Sequence, residues 1–380
     1  MPIRLCAVRV PPERMRLISV NLARGRLRRV RRGSKTMGRC APTDLTLSKD
    51  VRHVPVLRDE AITALAPERG GRFVDGTFGA GGYTRALLVY PQTRVLAFDR
   101  DPSAIAGAGD WIRSVQDRLM LIEARFSQLD KIVVNRNFTP VDGVVFDVGV
   151  SSMQFDEAER GFSFRGDGPL DMRMEGRGLS AADIVNTWDE DALADIFYFF
   201  GEERAARRIA RAIVHDRDEA PFLTTKSLAG LIERVAPNRS SDIHPATKSF
   251  QALRIAVNNE LDELLAGLVG AEKVLAPGGR LVIVSFHSLE DRIVKLFFSE
   301  RCGRGETGSR RLPGEEAPLR PSFKCFGRQP IIPSVLEIQA NPRARSAKLR
   351  FATRTDAPSL PISNRLNRIA RLPIEDKGKN

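Results

Sequence analysis

The stretch FVDGTFGAGGYT, residues 73–84, constrains this chain more than any other. Phe73 and Val74 read as the end of a buried strand, and Asp75 closes it. Gly76, Gly79, Gly81 and Gly82 follow before an apolar, helix-like segment. A strand-to-helix turn so poor in side chains lets another group approach the backbone closely. What approaches it is the question the rest of the chain must answer.

Downstream, short apolar runs alternate with helical segments. TRVLAFDRD, RLMLIEARF and VDGVVFDVGVSS read as three further strands, with YTRALLVY and SAIAGAGDWIRSV as intervening helices. From about Asp156 to Asn258 the alternation stops and the pattern is mostly helical. It resumes with LDELLAGLVGAEKVLAPGGRLVIVSFHS, a helix, a Pro-Gly-Gly turn and a fifth strand, and LRFATRT supplies a last one. The expectation is an α/β fold: a doubly wound parallel sheet with a helical insertion. The divisions are a leader at 1–49, a first α/β part at 50–155, the insertion at 156–258, a second α/β part at 259–355 and a tail at 356–380.

Composition narrows the class. With 42% apolar and 28% charged residues the chain is ordinary for a soluble globular protein. No run approaches the roughly 18–20 apolar residues of a membrane span. Cys6, Cys40, Cys302 and Cys325 include no C-x-x-C pair, so they read as reduced thiols of a cytoplasmic protein, with no metal site. The net charge is +13, yet residues 1–36 hold eleven Lys/Arg against Glu13 alone. This leader reads as disordered: an RNA-binding arm, a targeting segment, or sequence preceding a true start at Met37.

Three cofactors suit such a glycine loop. A nucleoside triphosphate needs Lys followed by Ser or Thr at its end, and Tyr83-Thr84 stand there instead. A dinucleotide needs G-x-G-x-x-G, but the third glycine follows Gly81 immediately. S-adenosylmethionine (SAM) carries a sulfonium cation and no phosphate, and calls for carboxylates. Asp99 ends the second strand, where an acid can accept both ribose hydroxyls, and Asp147 ends the fourth. In a doubly wound sheet Asp75, Asp99 and Asp147 would share one rim.

These blocks, with HVPVLRDEAITAL, LAFDRDPSAI, FDVGVSSMQFDEAERGFSFRGDGPLDMRM, HPATKSFQALRIAVNNEL, VSFHSLEDRIVK and NPRARSAKLR, resemble the ribosomal RNA small subunit methyltransferase H family over about residues 50–355. The resemblance implies a class I SAM-dependent methyltransferase domain with a helical insertion. It implies N4-methylation of a cytosine in the decoding region of 16S rRNA, within the small ribosomal subunit or an assembly intermediate, by a monomer or homodimer. Matched to the family motifs, SAM contacts fall on Gly81, Gly82, Tyr83, Asp99, Phe126, Asp147 and Gln154. The family commonly carries His where this chain has Tyr83.

The cytosine N4 lone pair is delocalised into the ring, so the enzyme must align it and take hydrogen bonds from its amino protons, with no strong base required. Asp147 or a nearby backbone carbonyl, assisted by Ser151 or Ser152, is the expected acceptor of the amino hydrogen. Phe162 and Phe164 are candidates to sandwich a flipped base. Ser285, His287 and Ser288 stand at another strand end. Arg343, Arg345, Lys348 and Arg350, and on the insertion Arg204, Arg207, Arg208 and Arg211, are candidate RNA contacts or solvated faces. Other readings are a methyltransferase of another substrate and a non-catalytic ribosome-assembly factor that retains SAM. An NAD-dependent oxidoreductase fits worst.

Overall fold

Two faces of one sheet account for the short apolar runs. In a computed structural model, residues 55–237, 244–304 and 320–371 are described; the basic leader, Cys6 and Cys40 lie outside them. The strands are β1 (Gly71–Asp75), β2 (Thr93–Asp99), β3 (Leu119–Glu123), β4 (Val141–Asp147), β5 (Leu275–Ser285), β6 (Phe323–Cys325) and β7 (Lys348–Arg354). They lie in the order β3-β2-β1-β4-β5-β7-β6. Successive residues point to opposite faces. Thus Val74, Leu96, Val144 and Ile283 enter one core, while Phe73, Val95, Val145 and Val282 enter the other. A parallel sheet must be covered on both sides, and each such side chain contributes about 1.5–3 kcal/mol on burial.

The five strands up to β5 are parallel, as the alternation implies. The last two are not simple continuations, because β7 runs antiparallel between β5 and β6. The Pro-Gly-Gly turn is absorbed into β5. Pairing with β4 shifts from Val141–Leu275 to Gly143–Arg280, and Gly278 adopts φ 88°.

Helices α1 (Arg58–Leu65), α2 (Gly82–Leu88), α3 (Pro102–Ala106), α4 (Leu129–Asn135) and α5 (Ser152–Asp156) accompany the first four strands. Then come α6 (Ala181–Thr187), α7 (Glu190–Phe199), α8 (Ala206–Arg217), α9 (Thr225–Val235) and α10 (Thr247–Asn258). Their apolar faces, with Leu193, Ile209, Ile213, Leu228 and Leu253, close on a core of their own. The chain returns through α11 (Glu260–Val274), α12 (Ser288–Arg301), α13 (Val335–Ala340) and α14 (Asn364–Ala370).

Polar clamps join the helical segment to the sheet. Arg100 and Arg125 both donate to Glu175, at 2.7 and 2.6 Å, and Arg100 also reaches the Asn258 carbonyl. Asn258 accepts from the Met174 amide and donates to the Met172 carbonyl. Both joints lie beyond the carboxyl ends of β2 and β3, so the insertion is anchored beside the crevice.

One feature departs from the sequence expectation. Cys302 and Cys325 are joined in a disulfide, not held as free thiols. The end of α12 and the end of β6 bring their Cα atoms to 6.0 Å, a bridging distance that a separation of 23 residues does not reveal. A buried ion pair ties α12 to α11. Arg301 donates from Nε to Glu272 at 2.8 Å, both side chains fully buried, and stacks over Phe297. The other Glu272 oxygen accepts from Ser322 and from the Leu360 amide.

Removing one member of such a pair leaves an uncompensated buried charge. Glu272→Leu is therefore expected to destabilise by about 3–5 kcal/mol in urea unfolding. Adding Arg301→Met should recover part of that loss. Equal loss in the single and double variants would show that the pair is not coupled.

Candidate active site

The strand order reverses between β1 and β4, and ligands of open α/β sheets lie in the crevice beyond the strand ends at such a point. The glycine loop follows β1 there. Asp75 is fully buried rather than on the rim. Its carboxylate accepts from the Thr84 hydroxyl at 2.6 Å and the Thr77 amide at 3.2 Å, which folds the loop back on its strand. The Thr77 hydroxyl in turn accepts from the Asp147 amide at 2.7 Å, fixing the β4 end against the loop.

Most of the loop's glycines are demanded by the chain itself. An added Cβ at Gly76 would stand 2.2 Å from the Phe146 ring, and one at Gly82 would stand 2.1 Å from Pro55. At Gly81, with φ 78°, it would meet Phe78 and Trp111 at 2.9 Å. Gly79 differs: its Cβ direction is open, with φ 53°, and its amide donates to Asp99 at 2.7 Å. Gly79 is thus the point at which a ligand can meet bare backbone.

The remaining predicted residues surround this loop. Asp99 accepts from Gly79 on one oxygen and from the Asp101 amide on the other, at 2.8 Å. Burial pushes its carboxyl above the ordinary range. Each oxygen keeps a lone pair for a further donor. Phe126 leans on Phe146 with centroids 5.0 Å apart, and its ring covers Gly267 of α11. Tyr83 turns into the core, its hydroxyl donating to the Val56 carbonyl, so only its backbone is left to face the loop.

Ser151 and Gln154 form the capping box of α5: the Ser151 hydroxyl accepts from the Gln154 amide, and the Gln154 side chain accepts from the Ser151 amide. Gln154 also donates to Asp101 at 2.7 Å, beside Arg160 at 2.9 Å. Sequence reasoning missed this Asp101–Gln154–Arg160 cluster, whose members lie 53 and 59 residues apart. The side chain of Ser152 lies outside the described set.

Asp147 is chemically the most exceptional group. Its Oδ1 is buried with no hydrogen-bond partner among the described residues. Desolvation, with Asp75 and Glu290 nearby, pushes its carboxyl well above the usual range. An orphaned buried acceptor at a strand end is unfavourable unless a donor or cation joins it. SAM fits such a site: it offers ribose hydroxyls for Asp99 and positive charge for the carboxyl cluster.

Most polar side chains of the SFHSLED segment already have partners within the protein. His287 caps α12, accepting from the Glu290 amide, and its Nε2 lies 3.0 Å from Glu290 Oε1. Ser285 donates to the Lys348 carbonyl and Ser288 to Glu202. Glu260, His287 and Glu290 bring ligand atoms within 4.8 Å of one another. Arg254, however, donates to both Glu260 oxygens and supplies the cation there. Phe162 is buried in the insertion core and cannot hold a base. Phe164 packs on His244 and Phe250, at 4.5 and 4.9 Å. Lys348 and Arg350 are both paired with Asp291, and Arg343 with Asp156.

The model of the MraW methylase family matches residues 50–355, which span the whole sheet and its insertion. The chain belongs to the MraW methylase family. Its fold is the class I methyltransferase fold. Similar curated proteins include ribosomal RNA small subunit methyltransferase H of Methylocella silvestris, 60% identical over 89% of this chain and 98% of that one. The enzyme of the same name from Beijerinckia indica is 59% identical over 88% of this chain and 95% of its own length. That of Rhodopseudomonas palustris is 58% identical over 82% and 94%.

Within this methylase fold Asp75 has a measurable signature. Burial raises its carboxyl from 3.8 to about 6. The native state then binds this proton more tightly than the unfolded chain. Its contribution to stability is full below about 3.8 and is lost as pH rises through about 6. Relative to Asp75→Asn, the wild-type protein should lose roughly 3 kcal/mol across that window in urea unfolding. A pH-independent difference would contradict the assignment.

Proposed function

We propose that this chain uses SAM to methylate the N4 amino group of a cytosine in the decoding region of 16S rRNA, in the small ribosomal subunit or an assembly intermediate, in the cytoplasm. The observation that carries the reading is the orphaned carboxyl oxygen of Asp147 at the strand-order reversal, opposite Asp99 and the open Gly79. The names of the similar proteins supply the substrate class. The helical segment, 156–258, is the part proposed to recognise the substrate.

Asp99 would hold the ribose hydroxyls, the backbone of Gly81, Gly82 and Tyr83 would line the cofactor, and Phe126 would pack against its adenine. Gln154 acts through Asp101, keeping the start of α3 and of α5 in register. Bound SAM supplies an electrophilic methyl group on sulfur. The protein's own task is to aim the amino nitrogen and take its proton. Asp147 is the acceptor for that proton, with its carboxyl ionised. Ser151, whose hydroxyl hydrogen is not used in the capping box, can donate to the base, and Ser152 is the second serine in this role.

An acceptor with a raised pKa must lose its proton before it works. The rate should therefore rise with pH along an acidic limb lying above the ordinary carboxylate range. Asp147→Asn should flatten that limb and lower turnover by about 10²–10⁴-fold. Wild-type turnover in that variant would remove Asp147 from the role.

The reaction itself is tested with radiolabelled methyl groups from SAM. Small subunits lacking the modification serve as acceptor, followed by nucleoside digestion and chromatography. Label is expected in N4-methylcytidine and absent with Asp99→Ala. Label in another nucleoside would move the substrate assignment. No label on subunits, assembly intermediates or naked rRNA, despite SAM binding, would favour an assembly factor.

A further inference from the structure

The helical segment exposes a pair of aromatic rings that its own core does not use. Tyr198 and Phe199, at the end of α7, are 60% and 43% exposed. Their rings meet edge to face with centroids 5.2 Å apart. Together with Arg204, Arg207 and Arg208 they line one groove between α7 and α8. These three arginines are exposed, and no carboxylate among the described residues forms an ion pair with them. This sets them apart from Arg211 of α8, which lies 3.4 Å from Glu190 of α7, and from Arg292, paired with Glu202. Asp195 is the acid that lines the groove, so the groove keeps an excess of positive charge.

The position of the groove matters as much as its chemistry. The turn that follows Phe199 is packed tightly: an added Cβ at Gly201 would stand 2.6 Å from the Phe197 carbonyl and 2.8 Å from that of Lys248. The next residue, Glu202, accepts from Ser288 and Arg292 at the start of α12. Ser288 adjoins His287, whose partner Glu290 is one of the groups bearing on Asp147. The aromatic pair thus sits a few residues from a contact that ends at the crevice rim.

We infer that Tyr198, Phe199, Arg204, Arg207 and Arg208 form a docking groove for single-stranded RNA, with an unpaired base stacked on the rings and phosphates on the arginines. The inference rests on the reading of rRNA as substrate and adds a second contact surface outside the crevice. Exposed aromatics next to unpaired cations are the combination that binds single strands with little sequence preference. Rings stack on base faces, and guanidinium groups neutralise phosphates. A duplex hides its base faces and would gain only the charge contacts.

The two halves of the groove have different signatures. Tyr198→Ala with Phe199→Ala should weaken binding of a fluorescein-labelled single-stranded RNA by roughly tenfold or more, with its salt dependence unchanged. Arg204→Ser, Arg207→Ser and Arg208→Ser together should weaken it and lower the slope of log affinity against log salt by about 2. Thermal unfolding and SAM affinity, measured alongside, should match wild type. Wild-type RNA affinity and salt slope in both folded variants would overturn the inference. So would loss of self-association by sedimentation with RNA binding intact, which would make the groove an interface between copies. Methyl transfer by the wild-type protein, run in parallel, keeps the two readings apart: unchanged RNA binding with normal transfer sinks only the groove.

Discussion

The buried carboxyl of Asp75 is the constraint on which the crevice depends. It is placed where a carboxylate is costly, fully enclosed at the end of β1, and holds the first helix turn and the glycine loop through Thr84 and Thr77. Thr77 passes the constraint to β4 by accepting from the Asp147 amide. One polar chain thus sets the distance between the two strand ends that face each other at the order reversal. A buried hydrogen-bonded acid is a poor source of stability, but it admits few alternative geometries. The loop gains a defined shape, and Asp147 is held with one oxygen left unpartnered.

The insertion depends on this frame through a second set of polar contacts. Arg100 follows Asp99 and Asp101 follows Arg100, so the two residues that clamp the helical segment flank the same strand end that carries the predicted ribose carboxylate. Arg100 reaches Glu175 and the Asn258 carbonyl, while Asp101 holds Gln154 and Arg160. Both the entry to the helical segment and its exit are therefore fixed at the mouth of the crevice. A segment with its own hydrophobic core is tied down where a substrate would arrive.

Local patterns made β1 to β5 and β7, the helical run that follows β4 and the strand-end places of Asp75, Asp99 and Asp147 legible, because each follows from period and position alone; β6 was not foreseen. Contacts between distant residues were not. Nothing in the sequence around Tyr83 indicates that its hydroxyl meets Val56, or that Pro55 and Phe146 take the space at Gly82 and Gly76. Glycine content was read as room for a ligand, whereas at three of four positions it is room for the chain's own side chains. The cationic run ending in Lys348 and Arg350 misleads in the same way: β7 places both against Asp291, so charge density there is structural pairing. The reduced-thiol reading failed because 23 residues separate two cysteines that the end of α12 and β6 bring together.

Charge balance in the crevice also explains which ligands it can take. Asp75 and Glu290 both bear on Asp147, and burial raises Asp75 and Asp147 while His287 and Arg254 hold the Glu290 carboxyl low. Four arginines of this region are already committed: Arg100 and Arg125 to Glu175, Arg160 to Asp101 and Arg254 to Glu260. A pyrophosphate placed on the loop would add negative charge to a poorly solvated acidic cluster. A ligand bearing positive charge, or offering hydroxyl and amino hydrogens, relieves the same cluster. The glycine loop alone is compatible with several nucleotides; the carboxyls behind it favour a cationic adenosine ligand.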